Sequence, residues 1–164
     1  MTYATGQQFV DAFGIGETTD LLRDELELLT TELLAMVMAD AITGDPTDEE
    51  IAQARTAVAR LDNAMVEAGK WMDGYFLSVV ALPLTAEQIA AAPVKSCCLE
   101  LARCYLKDDD DNMTEGAEKR CKRWVDWLRD VSAGKVKLVQ EQVHSKGVRS
   151  GRMPSRYNWG AFGK

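Results

Sequence analysis

The sequence predicts an all-α fold: a compact helical bundle of about five helices with a long central helix and an extended C-terminal arm. Three observations predict it. Apolar residues recur at alternating steps of three and four through most of residues 1–139, the spacing that lines one face of a helix. Capping residues and Gly or Pro breaks separate those stretches. The stretch from Gln140 to Lys164 follows neither rule: it carries Gly147, Gly151, Gly160, Gly163 and Pro154, with Tyr157, Trp159 and Phe162 set among basic residues. Glycine and proline break both regular structures, and no apolar period is present to bury, so this stretch cannot fold alone. The chain therefore divides into a helical domain, 1–139, and a basic and aromatic C-terminal arm, 140–164.

A short first helix is predicted from Gln7 to Phe13, ended by Gly14 and Gly16. A second runs from Asp20 to Ala41, with Leu22, Leu26, Leu29, Leu33 and Met36 on one face, and Gly44-Asp45-Pro46 stops it. The third has the clearest start, because Thr47 and Glu50 form a capping box in which each side chain satisfies an unpaired amide. Its stripe is Ile51, Ala54, Val58, Leu61, Met65, Ala68, Met72, Tyr75 and Val79, a packing seam rather than a cofactor box, since nothing nearby supplies a ligand. Pro83 ends that element, Thr85 and Gln88 form a second capping box, and Pro93 restarts or kinks the helix. Val94, Cys97, Cys98, Leu101, Cys104 and Tyr105 then share a face. Asn112 with Glu115 opens the last helix, whose face is Ala117, Cys121, Trp124, Leu128 and Val131, and Gly134 closes it. Lys135 to Val139 alone alternates with period two, a short strand to be added in an assembly.

Charge separates the two parts. From Gln140 onwards five basic residues face one acid, a net +4, while residues 1–139 hold 14 basic and 25 acidic residues, a net −11. A negative body repels phosphates, which argues against wrapping duplex DNA and suits a surface beside which DNA must not stick. The longest apolar stretch, Phe76 to Leu84, contains Ser78 and Pro83 and is too short to cross a bilayer. The first basic residue is Arg23, and no secretory signal is expected. The four cysteines fall inside helical patterns, which predicts reduced thiols packed as small apolar residues in a cytoplasm.

No constellation predicts catalysis. The single histidine, His144, sits at the start of the arm with no orienting partner, and no phosphate-binding or zinc-protease motif is present. No cofactor is expected. A metal is not expected either: the cysteines form no Cys-x-x-Cys pair, and Asp108, Asp109, Asp110 and Asp111 lack the spacing and turn glycine of a calcium loop. Those four aspartates read as a solvated run before the last helix, or as an acidic rim facing a channel. Lys119, Arg120, Lys122 and Arg123 form a basic cluster that Glu115 and Glu118 can neutralise at i,i+4 spacing. The arm is the candidate docking element. Lys146, Arg149, Arg152 and Arg156 supply charge, and Tyr157, Trp159 and Phe162 are aromatic anchors of the kind enriched in interfaces.

Several segments resemble the head–tail connector (adaptor) proteins of Mu-like tailed bacteriophages. They are Tyr75 with Ala81-Leu82-Pro83-Leu84, Pro93-Val94-Lys95, Leu101-Ala102-Arg103-Cys104-Tyr105-Leu106 running into aspartates, Trp124-Val125-Asp126-Trp127-Leu128, and Ala133-Gly134-Lys135-Val136. The start, Tyr3-Ala4-Thr5 with Gln8-Phe9 and Phe13-Gly14, is similar as well. Against that pattern Thr30 to Ala41 reads as continuous helix, Phe76 to Val80 are extra residues, and the arm stands outside it. The resemblance implies a virion protein, made in the host cytoplasm and placed at the head–tail junction. It would form a homo-oligomeric ring, dodecameric by analogy, below the portal protein and above a tail-side connector or tail terminator protein. DNA would pass through without sequence-specific binding, and no membrane is involved. The alternative from the residues alone is a small helical nucleic-acid-associated regulator that uses the last helix and the arm.

Overall fold

A computed structural model describes residues 2–23, 27–107 and 114–138. Seven helices are present among the described residues: α1 (Gly6–Phe13), α2 (Ile15–Leu22), α3 (Thr31–Met38), α4 (Asp48–Phe76), α5 (Ala86–Ala91), α6 (Val94–Leu106) and α7 (Glu115–Ser132). The all-α expectation holds, with the long helix α4 at the centre. It packs against α1, α2, α3, α6 and α7, while α5 leans on α6.

α4 forms because its start is capped and its stripe is continuous. The Thr47 side chain accepts a hydrogen bond from the Glu50 amide, and Glu50 accepts one back from the Thr47 amide. Ala54, Leu61, Met65, Ala68 and Met72 are buried as the periodicity predicts, joined by Ala57, Ala64, Gly69 and Phe76. The alanines and the glycine let neighbouring helices approach closely, and each fully buried Leu, Met or Phe contributes about 1.5–3 kcal/mol. Val79 departs from the stripe: it lies beyond the end of α4 and is exposed.

The second predicted helix, Asp20 to Ala41, is two helices. Gly14 adopts φ 87°, a backbone that L side chains rarely take, and serves both as the C-cap of α1 and as the N-cap of α2. Gly16 therefore sits inside α2 rather than after a helix. The chain leaves helical geometry at Arg23, Glu27 takes φ 52°, and Thr30 caps α3 by accepting from the Leu33 amide at 3.2 Å. Threonine at a cap competes with helix continuation, and Asp20 and Asp24 are like charges at i,i+4, which disfavours a helix through them. Of the predicted apolar face, Leu22, Leu29 and Leu33 are buried and Met36 is partly buried, while Leu26 lies outside the described residues. α3 ends earlier than predicted, with Asp40 in left-handed geometry and the amides of Asp40 and Ala41 bonded to the carbonyls of Val37 and Met36.

Pro93 separates α5 from α6, and the second capping box, Thr85 with Gln88, is present. On α6 the buried residues include Val94, Cys97, Cys98, Leu101, Ala102 and Leu106. Tyr105, predicted on that face, is instead 52% exposed. The cap of α7 is Thr114, whose side chain accepts from the Ala117 amide at 3.3 Å. The predicted cap Asn112 lies outside the described residues. Ala117, Leu128 and Val131 are buried as predicted.

The cysteines correct a sequence expectation. Cys97 and Cys98 are free and fully buried, but Cys104 and Cys121 form a disulfide that ties α6 to α7, with their Cα atoms 6.1 Å apart. The sequence predicts all four as reduced packing residues. Spacing on two separate helices gave no sign that the side chains would meet.

Candidate docking surface

The N-terminus, α4 and α7 meet at one end of the bundle through aromatic rings. Tyr3 packs edge-on against Phe76 at 6.0 Å, Phe76 against Trp127 at 6.4 Å, and Trp127 against Trp124 at 5.9 Å. The Tyr3 hydroxyl donates to the Asp73 carboxylate. Burial raises the Tyr3 phenol pKa, and the Asp73 hydrogen bond and charge raise it further. Burial likewise pushes both free thiols up, so Cys97 and Cys98 stay protonated at neutral pH and are poor nucleophiles. At the other side of α6, the Arg103 guanidinium pairs with Glu17 and Glu100 and stacks over the Phe13 ring at 4.6 Å. That arrangement pins α1 and α2 to α6.

Beyond Phe76 the chain turns sharply. The amides of Val79 and Val80 both bond to the Phe76 carbonyl, at 2.9 and 3.0 Å. A second turn faces it at the end of α7. Gly134, with φ 72°, bonds back to the Val131 carbonyl, and the amides of Lys135 and Val136 bond to that of Asp130. The Lys135 ammonium pairs with the Asp130 carboxylate at 2.8 Å, which raises its pKa. Between the two turns lies an apolar groove of about 340 Å³, lined by Val79, Val80, Val131, Val136, Leu138 and neighbouring backbone and Lys137 atoms. Leu77, at the end of α4, is 70% exposed, and Val79 is 42% exposed.

This surface was not anticipated from the sequence, although part of its signal was visible. The alternation in Lys135 to Val139 predicts a strand; residues 135–138 form turns and bends instead, with Val136 partly buried and Leu138 buried against the core. The period-two pattern places apolar side chains on one side of the chain, and that side meets the bundle end instead of a partner strand. Val79 and Val80 lie within the stretch Phe76 to Val80, which the sequence leads one to expect as extra relative to the connector pattern.

The predicted docking residues Lys146, Arg149, Arg152, Arg156, Tyr157, Trp159 and Phe162 lie outside the described residues, as do His144 and the run Asp108 to Asp111. That run connects α6 to α7, and the Cys104–Cys121 bond joins the helices on either side of it. Within the basic cluster of α7, Lys119 pairs with Glu115, and Arg123 lies over the Trp124 ring at 5.8 Å. No ion pair joins Glu118 to Lys122, both of which are exposed. Among the described residues, no three His, Cys, Asp or Glu side chains are grouped to hold a metal ion. Among them too, no helix is long and apolar enough to cross a membrane.

The sequence matches the family described as Bacteriophage Mu, Gp36 over residues 3–154. The chain belongs to the bacteriophage Mu Gp36 family. The match covers all seven helices and the groove. It also runs past Val139 and takes in Lys146, Arg149 and Arg152, whereas Arg156, Tyr157, Trp159 and Phe162 lie beyond it. The first part of the arm thus belongs to the family pattern, contrary to the expectation that all of it stands outside. No individual curated protein matches the chain.

Proposed function

We propose that this protein is a head–tail connector (adaptor) subunit of a Mu-like phage, which assembles as a ring below the portal and lets DNA pass through. Its work is association, not catalysis. The observation that carries this reading is the family match over residues 3–154, which spans every segment on which the connector resemblance rests. Three physical features support it. The body carries net −11, so a ring of such subunits repels the phosphates of passing DNA. One bundle end exposes Leu77 and Val79 beside an apolar groove, a surface suited to subunit contact. The arm adds positive charge and aromatic anchors for the portal or a neighbouring subunit.

The test uses phage heads made without this protein. Purified full-length chain is added, and the portal vertex is imaged by negative stain. A ring of added density at that vertex is expected, and heads that remain undecorated overturn the reading. The nucleic-acid regulator is the competing outcome. It would show as salt-dependent binding to a DNA fragment, lost when Arg149, Arg152 and Arg156 are replaced by Ala.

A further inference from the structure

We propose that the groove between the ends of α4 and α7 receives the aromatic end of the C-terminal arm (Tyr157, Trp159 and Phe162) of a second copy of this chain. The inference rests on the ring reading above and names the contact that would join its subunits.

Four observations lead to it. The groove is apolar, and its lining of Val79, Val80, Val131, Val136 and Leu138 offers no charged partner except the Lys137 side chain. A volume of about 340 Å³ lies at the small end of ligand-binding pockets, a size for aromatic side chains rather than for a helix. Large rings seated in such pockets are the commonest anchors of protein interfaces. The occupant is at hand in the same sequence, because Leu138 forms one wall and the chain continues from it through residues 139–164. Charge brings the pieces together: the arm carries +4 and the body of another copy −11.

A second copy fits better than the arm's own body. One arm end seated among the residues that line its own groove would leave Leu77, two residues before Val79 and 70% exposed, in water. An arm from a neighbour brings that neighbour's body alongside and can cover the rest of the patch. A groove on one copy filled by the arm of the next is also a heterologous contact. Repeated through a rotation that closes, such a contact builds a ring, as the ring reading requires.

The experiment uses full-length chains carrying single cysteines, Val79→Cys in one and Asn158→Cys in the other, which keeps all three aromatic rings of the arm. Cys97 and Cys98 are fully buried, and Cys104 and Cys121 are bonded to each other, so the introduced thiols are the reactive ones. The two variants are mixed at high micromolar concentration with a short bismaleimide and run on a denaturing gel. A covalent dimer is expected in the mixture and in neither variant alone. The double variant, Val79→Cys with Asn158→Cys, is expected to give a ladder of multimers. A double variant that yields only internally linked monomer assigns the groove to its own arm and overturns the proposal. So does the absence of any cross-link.

Val79→Asp provides a measurement that does not depend on cross-linking. Its site is exposed, so circular dichroism should show the parent's helix content, while sedimentation should show self-association weakened about tenfold. Unchanged association overturns the proposal. Heads decorated at the portal vertex without cross-linking in the mixture would sink this inference alone. Cross-linking with undecorated heads would sink the placement at the portal and leave the contact between copies standing.

Discussion

The two ends of α4 are finished in different ways. At its start, Thr47 and Glu50 satisfy each other's amides, and Asp48, Glu49 and Glu50 place negative charge against the positive end of the helix dipole. That end is complete in water. At its other end, Phe76 is fully buried under Tyr3 and Trp127, yet the next residues turn apolar side chains outward, with Leu77 and Val79 exposed beside a groove. Hydrophobic surface left in this way has a free energy that only a partner can recover. One helix thus has a closed end that serves the fold and an open end suited to assembly.

The comparison can be broken most severely in the middle of α4. Leu61 is fully buried, and Leu61→Ala should lower unfolding free energy by about 2–5 kcal/mol, read as a shift in the urea midpoint at constant slope. Replacing both Cys104 and Cys121 by Ala should come next. The bond closes a loop with a sequence separation of 17, and opening it should remove about 2–4 kcal/mol under non-reducing conditions, with no change once the parent is reduced. Thr47→Ala should cost about 1 kcal/mol at the closed end.

The same cap gives a pH signature. Backbone and side-chain hydrogen bonds from Thr47 hold the Glu50 carboxyl below its ordinary value of 4.5. A lowered folded-state pKa means that the cap's electrostatic contribution is present above that value and lost as pH falls through the folded one. Stability of Glu50→Gln should therefore approach that of the parent as pH drops below about 4, measured by thermal melts across the acid range. The smallest effect belongs to the open end: Leu77→Ala should change stability by less than about 0.5 kcal/mol in the isolated chain. A large loss there would mean that Leu77 serves the fold, and the contrast between the ends would vanish.

The fold class, the long helix and the capping boxes of α4 and α5 were legible because they depend on local chemistry. A Thr followed three residues later by Glu or Gln states its own geometry, and the same signal at Thr5 and Gln8 marks the start of α1. The break between α2 and α3 was hidden because apolar periodicity continues across it. Leu22, Leu29 and Leu33 face the core with or without a continuous helix, so burial alone could not reveal the cap at Thr30. The Cys104–Cys121 bond and the groove depend on how α6, α7 and the end of α4 pack, which is information carried by no single stretch of sequence. The exposure of Tyr105, one residue from buried Leu106, shows the same limit, since a step of one position rotates a side chain by over a quarter turn.

The covalent link between α6 and α7 also has a mechanical meaning. When the chain is pulled from its two ends, the residues between Cys104 and Cys121 cannot extend, because force passes across the sulfurs and bypasses them. A separation of 17 residues would otherwise span roughly 60 Å when stretched. The connector bearing the four aspartates is thereby shielded from tension, whatever load the two helices carry.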